Sequence, residues 1–166
     1  MKIFDAHLHI IDKRFPLIRN QGFIPDAFTS HDYLNSTNCL NVVGGAVVSG
    51  SFQGFDQSYL INALRTLGKN FVGVTQLPYN VTDDEIIKLN EFGVRALRFN
   101  VNRGGSEDIS HLECFAKRIH ALVNWHTELY IDSKLLPEIA TIVESLPAVS
   151  IDHLGLSKNG FSNLFP

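Results

Sequence analysis

Residues 1–10, MKIFDAHLHI, set an aspartate and two histidines at alternate positions in an otherwise apolar run that follows Lys2. Side chains along a strand alternate between its two faces. Phe4, Ala6, Leu8 and Ile10 are therefore expected on one face, and Asp5, His7 and His9 on the other with Ile3. A strand inside a parallel sheet normally reads apolar on both sides, and a carboxylate with two imidazoles in line is costly to bury unless something engages them. Two histidines two apart aim both rings at one point, which suits a metal ion or a polarised substrate oxygen. The plain alternative is a pair of satisfied core histidines or a partly wet strand end. Asp5 is expected either to orient a histidine or a metal from behind or to be a structural carboxylate.

Outward from this stretch the chain alternates strand and helix. Residues 11–28 form a long connection whose Phe15, Leu17, Ile18, Phe23 and Ile24 favour a packed flap over a disordered tail. Ser30 reads as the cap of a short helix through Leu34. VVGGAVVS (42–49) is the second strand, with Gly44-Gly45 marking a close approach by another backbone or a ligand. Helical spacing covers 56–67 and ends at Gly68. Residues 71–77 are the third strand, and Thr82–Glu85 is a capping box opening a helix that stops at Gly93. VRALRFN (94–100) is the fourth strand. Ser110–Glu113 reads as a second capping box, 127–132 as the fifth strand, 135–146 as a helix with Pro137 in its first turn, and 148–154 as the sixth strand.

Strands separated by helices imply a parallel sheet with right-handed crossovers, either an open doubly wound sheet or a barrel. In both, ligands gather at the carboxyl ends of the strands. His7, His9, Gln76, Arg98, Asn100, Tyr130, Asp132, Asp152 and His153 all fall there. That clustering points to an enzyme-like site.

The 166 residues are read as one α/β domain, large enough for a real core. A 45% hydrophobic and 19% charged composition is that of a soluble globular protein. The net charge of −3 argues against nucleic acid as a partner. Cys39 and Cys114 form no CxxC and fit a reducing compartment. No leader is apparent and no apolar run approaches the roughly 20 residues of a membrane span, so a cytoplasmic location is expected, and the Asn35 and Asn80 glycosylation patterns are read as chance.

DAHLHI, RFP, FIPDAFTSHDYL, GVRALRFN and IDHLG together resemble the amidohydrolase-2 family, especially its 2-pyrone-4,6-dicarboxylate lactonase branch, over nearly the whole chain. The resemblance implies a (β/α)₈ TIM barrel with a hydrolytic site at its top. It matches His7 and His9 to the family's first-strand pair and His153 to a sixth-strand histidine, as catalytic groups or, if a metal is bound, as its ligands. It matches Arg98 to an arginine that grips a substrate carboxylate, and Tyr130 to a hydroxyl offered from the fifth strand. One divalent metal, zinc or manganese, is implied for many members, while the lactonase branch works without one. The implied function is hydrolysis of a small carboxylated lactone or related cyclic ester or amide. The alternatives are a metal-dependent decarboxylase or hydratase on the same scaffold, and an inactive remnant or a subunit that completes its barrel with another chain.

The family's general-base aspartate ends the eighth strand, whereas this sequence stops at Pro166 in the apolar FSNLFP, soon after its sixth strand. A full barrel takes about 250 residues. The expectation is a barrel short of its last two β/α units, which self-associates through uncovered edges and inner faces. His153, in phase with Val149 and Ile151, is expected on the lumen side, and Asp152 on the opposite face as a brace. Arg103 with Gly104-Gly105 reads as a surface loop, and His31, His111, His120 and His126 are assigned no role.

Overall fold

The computed structural model describes residues 1–157; the apolar FSNLFP ending lies outside the described residues. Six strands form one parallel sheet: β1 (Ile3–Leu8), β2 (Val42–Val48), β3 (Phe71–Thr75), β4 (Val94–Asn100), β5 (His126–Tyr130) and β6 (Val149–Ile151). Each strand pairs with the next in chain order. A doubly wound sheet reverses its strand order at a switch point. Here there is no reversal, so the sheet is part of a barrel wall, and of the two architectures open to the sequence the barrel is the one adopted.

Five helices join the strands: α1 (Ser30–Ser36), α2 (Ser58–Leu67), α3 (Asp83–Glu91), α4 (Leu112–Val123) and α5 (Leu136–Ser145). Their apolar residues and the outward-facing strand residues make the main core, in which Leu60, Ile86, Leu97, Phe99, Phe115, Ile119, Trp125 and Leu129 are fully buried. A second cluster, Ala46, Val48, Val74 and Ala96, holds strand residues alone and marks the inner face. None of the described helices is long and apolar enough to cross a membrane.

The local signals were satisfied unevenly. Thr82 and Glu85 form the expected capping box at α3. At α1 the cap is Thr29 rather than Ser30: its hydroxyl accepts from the Asp32 amide while the Asp32 carboxylate accepts from the Thr29 amide. The box expected at Ser110–Glu113 does not form. Asp108 caps a short turn, Ile109–His111, that runs directly into α4, and Glu113 pairs instead with Lys117 one turn on. Residues 11–28 are pinned as a flap, by reciprocal Ile11–Phe28 backbone bonds of 2.8 Å and by the Ile18 amide on the Phe52 carbonyl at 2.7 Å. Phe15 and Phe28 pack on the core, while Ile18 and Phe23 stay exposed. A side chain on Gly44 would stand 2.3 Å from the Asn70 carbonyl oxygen, and one on Gly45 would stand 2.8 Å from that of Asp5. The glycine pair thus permits a close backbone approach, as expected.

The strict alternation expected of β1 is broken. Asp5 is opposite Gly45 and Leu8 opposite Val47, so three steps along β1 match two along β2. Such a bulge puts two successive residues on the same side. Leu8 and Ile10 are buried in the helix-side core, whereas Phe4 (54% exposed) and Ala6 face the open inner side. Asp5 is turned away from the histidine rings and accepts from the His7 backbone amide at 3.3 Å and from Tyr33 Oη at 3.0 Å. It is the structural carboxylate of the two expected possibilities.

Candidate active site

The site forms where β1, β4, β5 and β6 end. His7 emerges within the bulge and His9 beyond it, with Nε2 atoms 3.3 Å apart and rings nearly perpendicular. The Nδ1 of His9 lies 2.7 Å from the Val48 carbonyl oxygen. A carbonyl only accepts, so that nitrogen carries the proton and Nε2 presents its lone pair. The Nδ1 of His7 lies 3.2 Å from Asp152 Oδ1. Burial pushes His9 down to about 4, against the hydrogen bond to Val48, and so holds its imidazole neutral.

Below the histidines is a buried ionic cluster. In the sheet register Arg98 stands opposite Glu128 and Glu128 opposite Ser150, which puts all three side chains on the inner face at one level. Arg98, only 3% exposed, donates from Nε to Glu128 Oε1 (2.9 Å), from Nη1 to the Ser49 carbonyl (2.7 Å) and from Nη2 to Asp152 Oδ2. One cation therefore serves two carboxylates. Burial, with Asp152 alongside, pushes Glu128 up to about 7. Burial also works to raise Asp152, but the His7 hydrogen bond and the Arg98 charge outweigh it and hold this carboxyl well below the usual range. Asp152 keeps the negative charge of the pair.

His153 completes the group by an unexpected route. The register of Ser150 puts Asp152, not His153, in phase with the inner face, and Ile151 packs on the helix-side core. The expectation that His153 shares the lumen side with Val149 and Ile151 is thus corrected, and so is the placing of Asp152 on the opposite face. β6 ends at Ile151, and His153, Leu154 and Gly155 then adopt positive φ of 48°, 55° and 64°. This left-handed turn swings the His153 ring to 4.7 Å from His7 and 5.4 Å from Tyr130, centre to centre. Consecutive residues therefore serve one site.

Of the residues singled out from sequence, His7, His9, His153 and Tyr130 come together. Arg98 lies beneath them, and its guanidinium sits 5.2 Å from the Tyr130 ring centre. Its Nε, Nη1 and Nη2 each donate to a partner, so that it braces Glu128 and Asp152. Glu128 was missed by the sequence reading. A glutamate inside the strand HTELY, directly opposite an inward arginine, was the signal that could have found it. Of the unassigned histidines, His111 pairs with Glu107, His120 bonds the Trp125 carbonyl, His126 is half-buried with its pKa lowered by that burial, and His31 is exposed.

Two donor sets could face a cation. His7, Asp152 and His153 each bring one ligating atom within 4.8 Å of the others, but both Asp152 oxygens already have partners. The Nε2 atoms of His7 and His9 lie 3.3 Å apart, within hydrogen-bond reach of each other, and imidazole suits zinc. This pair fits a divalent ion better.

Parallel strands that deliver imidazoles to one end of a barrel wall define a barrel enzyme's active face. The chain belongs to the amidohydrolase family, whose model matches residues 4–163. It is 26% identical over 159 residues to a 2-pyrone-4,6-dicarboxylate hydrolase of Comamonas testosteroni, covering 91% of this chain and 51% of that one. It is 24% identical over 158 residues to a 4-sulfomuconolactone hydrolase of Rhizobium radiobacter, with 92% and 52% covered. The chain thus spans about half the length of these relatives. A crystal structure from Acinetobacter baumannii, described as a probable 2-pyrone-4,6-dicarboxylic acid hydrolase with citric acid bound, superposes with a TM-score of 0.81 at 23% identity. It covers 93% of this chain and 59% of that one. An apo structure from Agrobacterium tumefaciens gives 0.80 at 18% identity, with 92% and 56% covered. The superpositions confirm the barrel-type fold.

Proposed function

We propose that the protein is a lactonase-like hydrolase of a small carboxylated lactone or related cyclic ester or amide. The observation that carries this reading is the convergence of His7, His9 and His153 at the strand ends, in a chain whose matched relatives are named for lactone hydrolysis. The ester carbonyl lies over the histidines. His7 and His153 offer ring N–H groups to its oxygen as charge builds on it, His9 braces His7 through its Nε2 lone pair, and Tyr130 flanks the ring beside His153. A divalent ion held by His7 and His9 would supply Lewis-acid polarisation of the same oxygen. Asp152 is committed on both oxygens, so it is not the base that takes the proton of the attacking water. In the isolated 166-residue chain the uncovered inner face drives self-association.

The test is an assay of the protein, and of its H9A variant, with 2-pyrone-4,6-dicarboxylate. Ring opening that H9A abolishes supports the reading; ring opening unchanged in H9A overturns the role of the histidines. The metal-dependent decarboxylase or hydratase reading is favoured by the approach of the His7 and His9 Nε2 atoms to 3.3 Å, a ready pair of ligands for an ion. Near-stoichiometric zinc or manganese in protein purified without chelator, together with carbon dioxide release or water addition in place of ring opening, supports it.

A further inference from the structure

We infer that a cavity between the flap and the loop after β4 holds an aryl-type substituent of the substrate, and that Phe52 is the specificity-determining residue that selects it. This rests on the reading above in placing the reacting carbonyl over the histidines. The cavity has a volume of about 330 Å³, and its lining includes Gln21 and Phe23 of the flap, Phe52 beyond β2, and Asn102 and Arg103 beyond β4. That is the small end of the range for ligand cavities, about 300–1,000 Å³. The half-buried Phe52 ring also meets the His9 ring edge-on, 6.1 Å between centres. One wall of the cavity is therefore shared with the histidine group. Phe52 is held in place from several sides. Its ring lies over Gly50, where any Cβ would run into it, and its carbonyl accepts from the Ile18 amide at 2.7 Å. Buried Gln53 clamps the turn that carries it, accepting from the Gly50 amide and donating to the Ile10 carbonyl, both at 2.7 Å. Phe23 is set by a tight turn in which Asn20 and Phe23 exchange backbone bonds of 3.1 and 2.9 Å. Asn20 Nδ2 fastens that turn to the Arg103 carbonyl at 3.0 Å.

Two phenyl rings beside a guanidinium and carboxamides define what fits. A bare carboxylate fills little of this volume and leaves both rings in water. An alkyl group covers the rings but strips water from the polar side chains and returns nothing. A flat conjugated ring suits both kinds of wall, because its face stacks on phenyl and guanidinium alike.

The experiment titrates the full chain with benzoate and with cyclohexanecarboxylate, followed by saturation-transfer NMR. The two acids carry the same charge and the same number of carbons, and only benzoate is flat. Benzoate is expected to bind about 2- to 10-fold more tightly, the worth of an aromatic pair. F52L, which keeps an apolar side chain without a π face, is expected to remove that margin. F23L, at an exposed position whose loss spares the core, is expected to narrow it. Equal affinity for the two acids in the wild type overturns the inference, whether or not F52L folds, and so does a wild type that binds no benzoate. A margin that survives intact in F23L and in folded F52L overturns it too. The titration breaks no bond, so its failure is distinct from a failure of ring opening in the lactone assay.

Discussion

The Nε2 atoms of His7 and His9 face each other across 3.3 Å, each ring having its other nitrogen turned to an acceptor of its own. Two imidazole nitrogens held so close form a ready pair of ligands for a cation. Zinc added to the purified chain is therefore expected to bind, and H9A to lose that binding. Loss of an outer partner of a ligating histidine typically costs about 10–100-fold in metal affinity, the range expected for D152A. Competition against a chromophoric chelator measures both. A flat wild-type titration removes the metal-bearing version of the site.

Arg98 is expected to be a stability residue before it is anything else. Removing one partner of a buried ion pair costs about 3–5 kcal/mol, because the other charge is left uncompensated. R98M leaves Asp152 and Glu128 with no cation between them, and its urea midpoint should fall accordingly. An arginine used only to grip substrate would leave that midpoint where it was.

The pH dependence of folding should contain two opposed slopes. His9 stands at about 4 in the fold against an ordinary 6.5, so the unfolded chain takes the extra proton, and this contribution is lost as pH falls from 6.5 toward 4. Glu128 stands at about 7 against 4.5, so the folded chain takes the extra proton, and its contribution is full below 4.5 and lost as pH rises through 7. The windows overlap and the slopes offset. E128Q removes one of them, and denaturant midpoints between pH 5 and 6.5 should then rise with pH more steeply than in the wild type. Parallel curves for the two proteins would rule this out.

Gly44 has no room for a methyl group, since a Cβ there would meet the Asn70 carbonyl at 2.3 Å. Backbone on both sides must shift to accept G44A, and overpacking of this kind costs about 1–3 kcal/mol. Thermal unfolding checks it. G68A, where a Cβ meets nothing within 4 Å but φ is +91°, separates lack of space from backbone conformation.

Phe4 and Ala6 leave apolar surface on the inner wall, and β1 and β6 each pair on one side only among the described residues. The isolated 166-residue chain is expected to scatter light as a species larger than a monomer, and F4S to lower that mass. A monodisperse wild-type monomer with a cooperative melt contradicts the expectation.

Much of this was legible before any coordinates, because it is carried by local periodicity. The strands at Val42, Phe71 and Val94 and the helices between them follow from the spacing of apolar residues. His7 and His9 could be found because a polar pair inside an apolar strand is conspicuous. What escaped depends on pairing between strands. The bulge that turns Asp5 away from the histidine rings is a property of two strands in register, and β1 alone reads as unbroken alternation. The faces of Asp152 and His153 were exchanged for the same reason: β6 is short, and its phase is set by Ser150 opposite Glu128. Which acids pair with Arg98 could not be read because Glu128 and Asp152 are remote from it in sequence. The misplaced cap at Ser110 had a nearer cause, an Asp108 two residues earlier that competes for the same free amides.

The left-handed turn after Ile151 has a consequence for how this part of the chain can change. Neighbouring residues in an extended segment diverge, and only the reversal of hand at His153 and Leu154 lets an aspartate and the histidine beside it share one workplace. Positive φ disfavours branched side chains and proline there. Gaining or losing a single amino acid between Ile151 and Gly155 would rotate Asp152 off its arginine or His153 off the ring cluster. This segment should therefore tolerate replacements far better than changes in length.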